Sequence, residues 1–115
     1  MNTSIKCLRP GEQYVNGQSV VDGTSYKCPL FIDYYTLVEF FGPPTYDTLT
    51  DKVCFEWVLK VNDKYLTIYD WKYYDPELVK AECQEWHVGG HEDSLLAVLD
   101  LVIFIETKKA QYDLQ

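Results

Sequence analysis

A strict two-residue alternation in KVCFEWVLKVNDKYLTIYDWK, residues 52–72, limits the chain to folds that contain a hairpin. Large apolar side chains occupy every second position over Val53–Val61, and this period predicts a β-strand with one buried face. The Asn-Asp pair that follows tolerates positive φ, so it can form a two-residue hairpin turn. The second strand is then predicted over residues 65–71.

This turn sets the predicted register of the hairpin. Trp57 faces Ile68 on one face, and Glu56 faces Tyr69 on the other. Asp70 then lies at the end of the apolar face, where a carboxylate needs a hydrogen-bonding partner or water. His87 is the expected partner, provided that Glu85–Val88 forms a third strand.

A helix is predicted before the hairpin, from about Tyr34 to Phe41. Apolar residues follow helical spacing in this stretch, and Asp33 can cap its first turn by accepting a backbone N–H bond. Gly42 suits the left-handed position that ends helices, and the two prolines after it prevent continuation.

The stretch EWHVGGHEDS, Glu85–Ser94, precedes a second apolar segment that is predicted to form a C-terminal helix ending near Lys108-Lys109. The alternative for Leu101–Ile105 is a buried strand, but Asp100 and the length of the segment favour a helix. Two histidines four residues apart can bind zinc on a helix, but Gly89-Gly90 disfavour a helix there. We interpret the stretch as a strand that ends at the glycines and turns into the helix. No metal site and no cofactor are expected.

The fold class that follows is α+β. A small antiparallel sheet of about three strands packs against a helix in the N-terminal half and the C-terminal helix, because helices on a sheet bury an alternating face. Residues 31–115 are predicted to form this single domain. Residues 1–30 carry the turn signals Asn16-Gly17 and Asp22-Gly23, which indicate either an irregular hairpin or a loosely fixed arm.

The charge of the chain is strongly uneven. The net charge is −8, and residues 81–107 contain six acids without any lysine or arginine. Nucleic acids and anionic membranes bind through cationic contacts, so neither is an expected direct partner. A protein with a basic surface is the expected partner, since complementary fields speed association. The alternative is that the acids serve solubility alone.

The cysteine spacing and the first residues of the chain predict its cellular compartment. No two of the four cysteines have C-x-x-C spacing, and no apolar run follows Met1. An intracellular protein with reduced thiols, not a secreted one, is therefore expected.

A binding surface is predicted where tyrosines and carboxylates recur together. Ten tyrosines are too many for the core of a 115-residue chain, so some must be exposed, and exposed aromatics beside acids are typical of interfaces. The alternative is a sheet face covered by the N-terminal arm or by another copy of the chain, as a homodimer. The residues predicted to bind are Glu56, Tyr65, Tyr69, Asp70, Trp71, Tyr74, Trp86 and His87.

A different arrangement of aromatic side chains would give a small-molecule pocket. Such a pocket would bind a nucleotide or a sugar, because aromatic walls with a few polar groups are typical of ligand sites. Its predicted lining is Trp57, Tyr69, Asp70, Trp71, Trp86 and His87.

Three motifs in order, FGPP after a helix, FEW…LTIYDW in a hairpin, and EWHVGG, resemble a family of small proteins from bacteriophages and large DNA viruses. The resemblance spans about residues 34–100. It implies a viral accessory protein that acts in a host cell, and it carries no established activity over to this chain. Together with the acidic, tyrosine-rich surface, it leads us to expect a non-enzymatic protein in the host cytoplasm or nucleus that inhibits a host defence or a nucleic-acid-binding partner. The matching residues are Phe41, Gly42, Pro44, Glu56, Trp57, Thr67, Ile68, Tyr69, Asp70, Trp86, His87, Gly89 and Gly90.

Overall fold

A computed structural model describes residues 3–47, 50 and 52–113 of the chain. The described residues form an α+β fold with one six-stranded antiparallel sheet, a separate two-stranded hairpin and three helices. In chain order the elements are β1 (Ile5–Cys7), β2 (Tyr14–Val15), β3 (Gln18–Ser19), β4 (Ser25–Phe31), α1 (Tyr34–Phe41), β5 (Tyr46–Asp47), β6 (Phe55–Val61), β7 (Lys64–Tyr69), α2 (Pro76–Glu82), β8 (Glu85–Gly90) and α3 (Leu95–Asp113).

The predicted hairpin is confirmed as β6 and β7. Trp57 pairs with Ile68 and Glu56 pairs with Tyr69, in the register that the turn predicts. Asn62 has the positive φ, 57°, that this turn requires. The predicted helix is confirmed as α1, with Asp33 accepting a bond from the Thr36 backbone N–H.

The sheet has six strands, so the prediction of about three strands was too low. Its order is β1-β6-β7-β8-β4, with the short β5 also paired to β6. Two of the additional strands, β1 and β4, come from the first 31 residues and form opposite ends of that order. Between β1 and β4 along the chain, β2 and β3 form a separate hairpin. It turns at Asn16 and Gly17, which have φ of 53° and 80°.

The core lies between one sheet face and the helices. Trp57, Ile68 and Trp86 point to this side from three adjacent strands and are fully buried. α3 packs on β6 and β7, and it extends to Asp113, beyond the predicted end near Lys108-Lys109. Sheet and helices thus share one apolar cluster, which is the layer solution that the hairpin pattern predicts.

Asp70 belongs to this core, and the predicted Asp70–His87 bond is not formed. The Asp70 carboxylate accepts bonds from the backbone N–H groups of Cys54, at 3.0 Å, and Phe55, at 2.7 Å. His87 pairs with Tyr69, so its ring lies on the opposite face of the sheet. Asp70 therefore stabilises the start of β6 by accepting its backbone N–H bonds, and it makes no bond to His87 on β8.

At the end of β8, neighbouring side chains pack directly against the backbone of Gly89 and Gly90. A Cβ atom on Gly90 would collide with Ser94 Oγ and lie 2.9 Å from Leu66 Cδ2. Ser94 is buried, and its hydroxyl donates to the His91 carbonyl in the turn before α3. The interpretation of this stretch as a strand that turns into a helix is thereby confirmed.

Replacing Gly90 with alanine is expected to lower the free energy of unfolding by about 1–3 kcal/mol, because a methyl group would be forced into a filled space. Urea denaturation monitored by tryptophan fluorescence would measure the loss. Ser94→Ala removes the colliding oxygen, so the Gly90→Ala/Ser94→Ala double variant should lose less than the sum of the two single variants. Strictly additive losses would contradict this packing account.

Candidate binding surface on the open sheet face

The face of the sheet opposite the helices carries a row of side chains across five strands. Directly paired residues of antiparallel strands point to the same face, so the pairings fix which side chains are neighbours. In order across the sheet, the row consists of Tyr46, Glu56, Tyr69, His87 and Pro29.

Aromatic rings gather around His87 on this face. Its ring centroid lies 4.5 Å from that of Tyr26 on β4 and 5.4 Å from that of Tyr69 on β7. Trp71, just after β7, stacks on His87 with centroids 6.1 Å apart and an interplanar angle of 24°. We call these four residues the aromatic cluster. Tyr26 and Trp71 are 50% and 40% exposed, so the cluster meets solvent.

Gly89 has no side chain, so the Tyr69 ring of the aromatic cluster can pack directly over its backbone. A Cβ atom there would lie 2.7 Å from Thr67 Oγ1 and 3.3 Å from Tyr69 Cε1. The Tyr69 ring therefore leans over the space that a side chain on β8 would occupy, as aromatic residues do beside strand glycines. Both glycines of the pair are thus required by packing, one on each face.

Glu56 lies beside Tyr69 and has a strongly perturbed carboxyl group. Burial raises the pKa of Glu56 to about 7, because desolvation disfavours the charged form. The pKa of Tyr69 is raised as well, first by burial and then by the nearby negative charge of Glu56. Near neutral pH this carboxyl group therefore changes charge readily.

The N-terminal segment between β1 and β4 covers another part of the same face. The Tyr46 hydroxyl bonds to the Gln13 side chain and accepts a bond from the Gly11 N–H. On this face Val58 and Thr67 are buried, at 0% and 2% exposure. The predicted alternative of a face covered by the arm therefore holds for this part, and the aromatic cluster remains open.

The eight residues predicted to bind do not all lie on one surface. Glu56, Tyr69, Trp71 and His87 meet on the open face. Tyr65 is half-buried on the same face, beside the groove between the β2–β3 hairpin and His91. Tyr74 is 62% exposed in the loop after β7.

Asp70 and Trp86 do not belong to this surface. Both are fully buried on the helix side of the sheet, and the Trp86 Nε1–H donates to the Ile32 carbonyl at 2.9 Å. Trp57 is buried on the same side. The residues predicted to line a small-molecule pocket are therefore separated by the sheet and do not line one cavity.

Tyr26 is the member of the cluster that the sequence did not identify. It lies on β4, where the register shifts between Tyr26 and Cys28 and where Pro29 interrupts the pattern. Pro29 is tolerated because β4 is the last strand in the sheet order. A strand with a bulge and a proline shows no clean two-residue period, so no sequence signal placed Tyr26 beside His87.

The tyrosines differ in how far they are open to contacts, and Tyr34 and Tyr73 also pack against the core. All ten fall within the described residues, and each is exposed or half-buried, as the count of tyrosines in a small core predicted. Acidic side chains are also near the cluster, since Glu85 is exposed on the same face of β8 as His87. Other acids have partners away from it, for example Asp93 with Lys64 at 2.8 Å.

The buried thiols are poor candidates for nucleophilic chemistry. Burial raises the pKa of Cys54 to about 11 and also raises that of Cys83, whereas a reactive cysteine needs a lowered pKa. In the part of the chain that the structure describes, no three histidine, cysteine or carboxylate side chains converge on a metal-binding geometry.

The described helices include none that is both long and apolar enough to cross a bilayer. Comparison of the chain with protein-family models, with curated proteins and with solved structures finds no match.

Proposed function

We propose that the protein is a non-catalytic binding protein whose open sheet face docks a basic segment of a partner protein. One observation carries the proposal: the solvent-facing aromatic cluster lies beside Glu56, a carboxyl group whose ionisation falls near neutral pH. Aromatic faces next to a carboxylate match the chemistry of an arginine or lysine side chain.

Arginine fits this surface better than lysine. Its planar guanidinium can stack on the ring of Trp71 and pair with a carboxylate, which a compact ammonium group does less well. Two lysines of the chain, Lys52 and Lys72, already lie with their ammonium groups 5.9 and 5.8 Å from the Trp71 ring centroid. The ring is therefore accessible to cations, and these flexible side chains can give way to a partner's arginine.

The net charge of −8 supports the encounter with such a partner over longer distances. A protein that normally holds nucleic acid has the required basic surface, and this chain would occupy that surface by charge mimicry. The motif resemblance to phage and large-DNA-virus proteins supports the further proposal that the chain acts as an inhibitor in an infected cell.

Binding of a poly-arginine peptide is expected to strengthen as the pH rises from about one unit below to about one unit above the pKa of Glu56. Above that pKa the carboxyl group is ionised and attracts the guanidinium groups; below it this attraction is lost. Glu56→Gln should remove most of the increase, and Trp71→Ala should weaken binding at every pH by roughly tenfold. Titration calorimetry at fixed ionic strength measures both effects.

Glu82→Gln is the matched control, because it removes one exposed acid on α2 and leaves the open face intact. His87→Gln is a second comparison, because it removes the ring on which Trp71 stacks and keeps Glu56. Equal weakening by Glu56→Gln and Glu82→Gln would mean diffuse attraction to an acidic protein, and the proposed docking face would be wrong.

A further inference from the structure

Helix α3 has an apolar outer side as well as an apolar inner side. The inner side packs on the sheet through four buried residues, Ala97, Val98, Leu101 and Ile105. The outer side leaves Leu95, Leu96, Leu99 and Ile103 exposed by 70%, 75%, 49% and 62%. A helix that is apolar around its circumference normally has partners on all sides.

A groove continues this outer side towards the edge of the sheet. It has a volume of about 590 Å³ and runs between α3 and β4, the last strand of the sheet. Leu95, Leu99 and Val102 form its helix wall, and Lys27 with Pro29 form its strand wall. The exposed leucines and this groove thus make one continuous apolar surface, which reaches the β4 edge of the sheet at Pro29.

We propose that this surface is the interface of a homodimer in which α3 packs antiparallel against α3 of a second copy, with the two-fold axis at Leu99. The order of apolar residues is symmetric about this position. Leu95 and Ile103 lie four residues before and after it, and Leu96 and Val102 lie three residues before and after it. A two-fold interface requires such self-complementarity, because each contact must occur twice.

In the antiparallel arrangement, Leu99 meets Leu99 across the axis, and Leu95 meets Ile103 of the second copy. This spacing of three and four residues is the one by which packed helices interlock. A parallel arrangement would instead set Leu95 against Leu95 and Ile103 against Ile103.

Charged residues lie at both ends of the antiparallel interface. β4 and α3 run in the same direction, because Ser25 pairs with Gly90 at one end and Lys109 Nζ contacts the Phe31 carbonyl at the other. Lys27 therefore lies near the first turn of α3. With the axis at Leu99, Glu106 of the second copy lies opposite Glu92, because these positions are seven residues after and before the axis. Lys27 lines the same end of the groove as Glu92 and is the cation that offsets these two acids.

Leu99→Glu is expected to raise the dissociation constant of the dimer at least about tenfold, because it places two carboxylates against each other on the axis. Sedimentation equilibrium of the full chain measures this constant. Val15→Glu is the matched control: it removes another exposed aliphatic residue, 51% exposed on β2, with the same change in charge. Circular dichroism verifies that both variants are folded.

A charge pair tests the antiparallel pairing itself. Leu95→Glu alone should weaken the dimer. Adding Ile103→Lys should restore it to within about threefold of the unmodified chain, because each new acid then faces a lysine of the other copy. A chain that stays monomeric at high concentration would overturn the proposal, and so would a dimer that Leu99→Glu leaves intact. A double variant weaker than Leu95→Glu would overturn the antiparallel arrangement.

Discussion

Replacing Asp70 with alanine is expected to lower the free energy of unfolding by about 3 kcal/mol, because two buried backbone N–H groups lose their acceptor. The carboxylate is fully buried and accepts from Cys54 N–H and Phe55 N–H at the start of β6. Chemical denaturation of the variant measures the loss.

Asp70→Asn should give an intermediate loss. Its carbonyl can still accept from Phe55 N–H, at 2.7 Å in the unmodified chain, but its amide group then faces the Cys54 N–H as a second donor. Asp113→Ala is the control, since it removes one exposed carboxylate at the end of α3 and changes the net charge equally. If Asp70→Ala and Asp113→Ala denature at the same urea concentration, the carboxylate has no role in holding β6.

The elements that the sequence predicted well are those whose signals are local. The register of β6 and β7 follows from a two-residue turn and an alternating pattern, and both are contained in residues 52–72. The bounds of α1 follow in the same way from Asp33 and Gly42 at its ends. In each element, the residues that decide the structure are neighbours in the chain.

The elements that the sequence did not predict depend on distant pairing. β4 is held by β8, whose residues come about sixty positions later, and its bulge and proline hide the usual alternation. The same sequence separation explains why Tyr26 was not predicted, because it contacts His87 only through the pairing of β4 with β8. No local pattern contains that information.

Asp70 illustrates a different limit. The hairpin register indicated correctly that this carboxylate would lie on the apolar side and would need a partner. Side chains are visible in a sequence as candidate partners, whereas backbone N–H groups are present at nearly every residue and do not stand out. The expectation therefore settled on His87, although the amides of Cys54 and Phe55 satisfy the carboxylate.

The two faces of the sheet divide the molecule by role. The helix side holds Trp57 and Trp86 in edge-to-face contact, with centroids 5.4 Å apart, and sets the stability of the fold. The open side holds the aromatic cluster and Glu56, where binding is proposed. Because alternate residues of β7 and β8 belong to opposite faces, substitutions on the two sides should have separable effects.

Trp86→Ala is therefore expected to lower the free energy of unfolding by about 3–5 kcal/mol, the usual loss when a buried tryptophan is truncated. The indole is fully buried, and truncation leaves both a cavity beside Trp57 and an unpaired Ile32 carbonyl. Thermal and urea denaturation would measure the change. Trp86→Phe keeps part of the ring and should lose less, mainly through the missing hydrogen bond.

Trp71→Ala is the matched control for this prediction, since it removes the same side chain from a position that is 40% exposed. Its expected loss of stability is below about 1 kcal/mol, because most of the indole contacts that it removes are on the surface. The Trp71→Ala protein should thus stay folded while its affinity for a basic peptide falls. Comparable destabilisation by both substitutions would mean that the open face is part of the folding core, and the separation of binding from stability would be wrong.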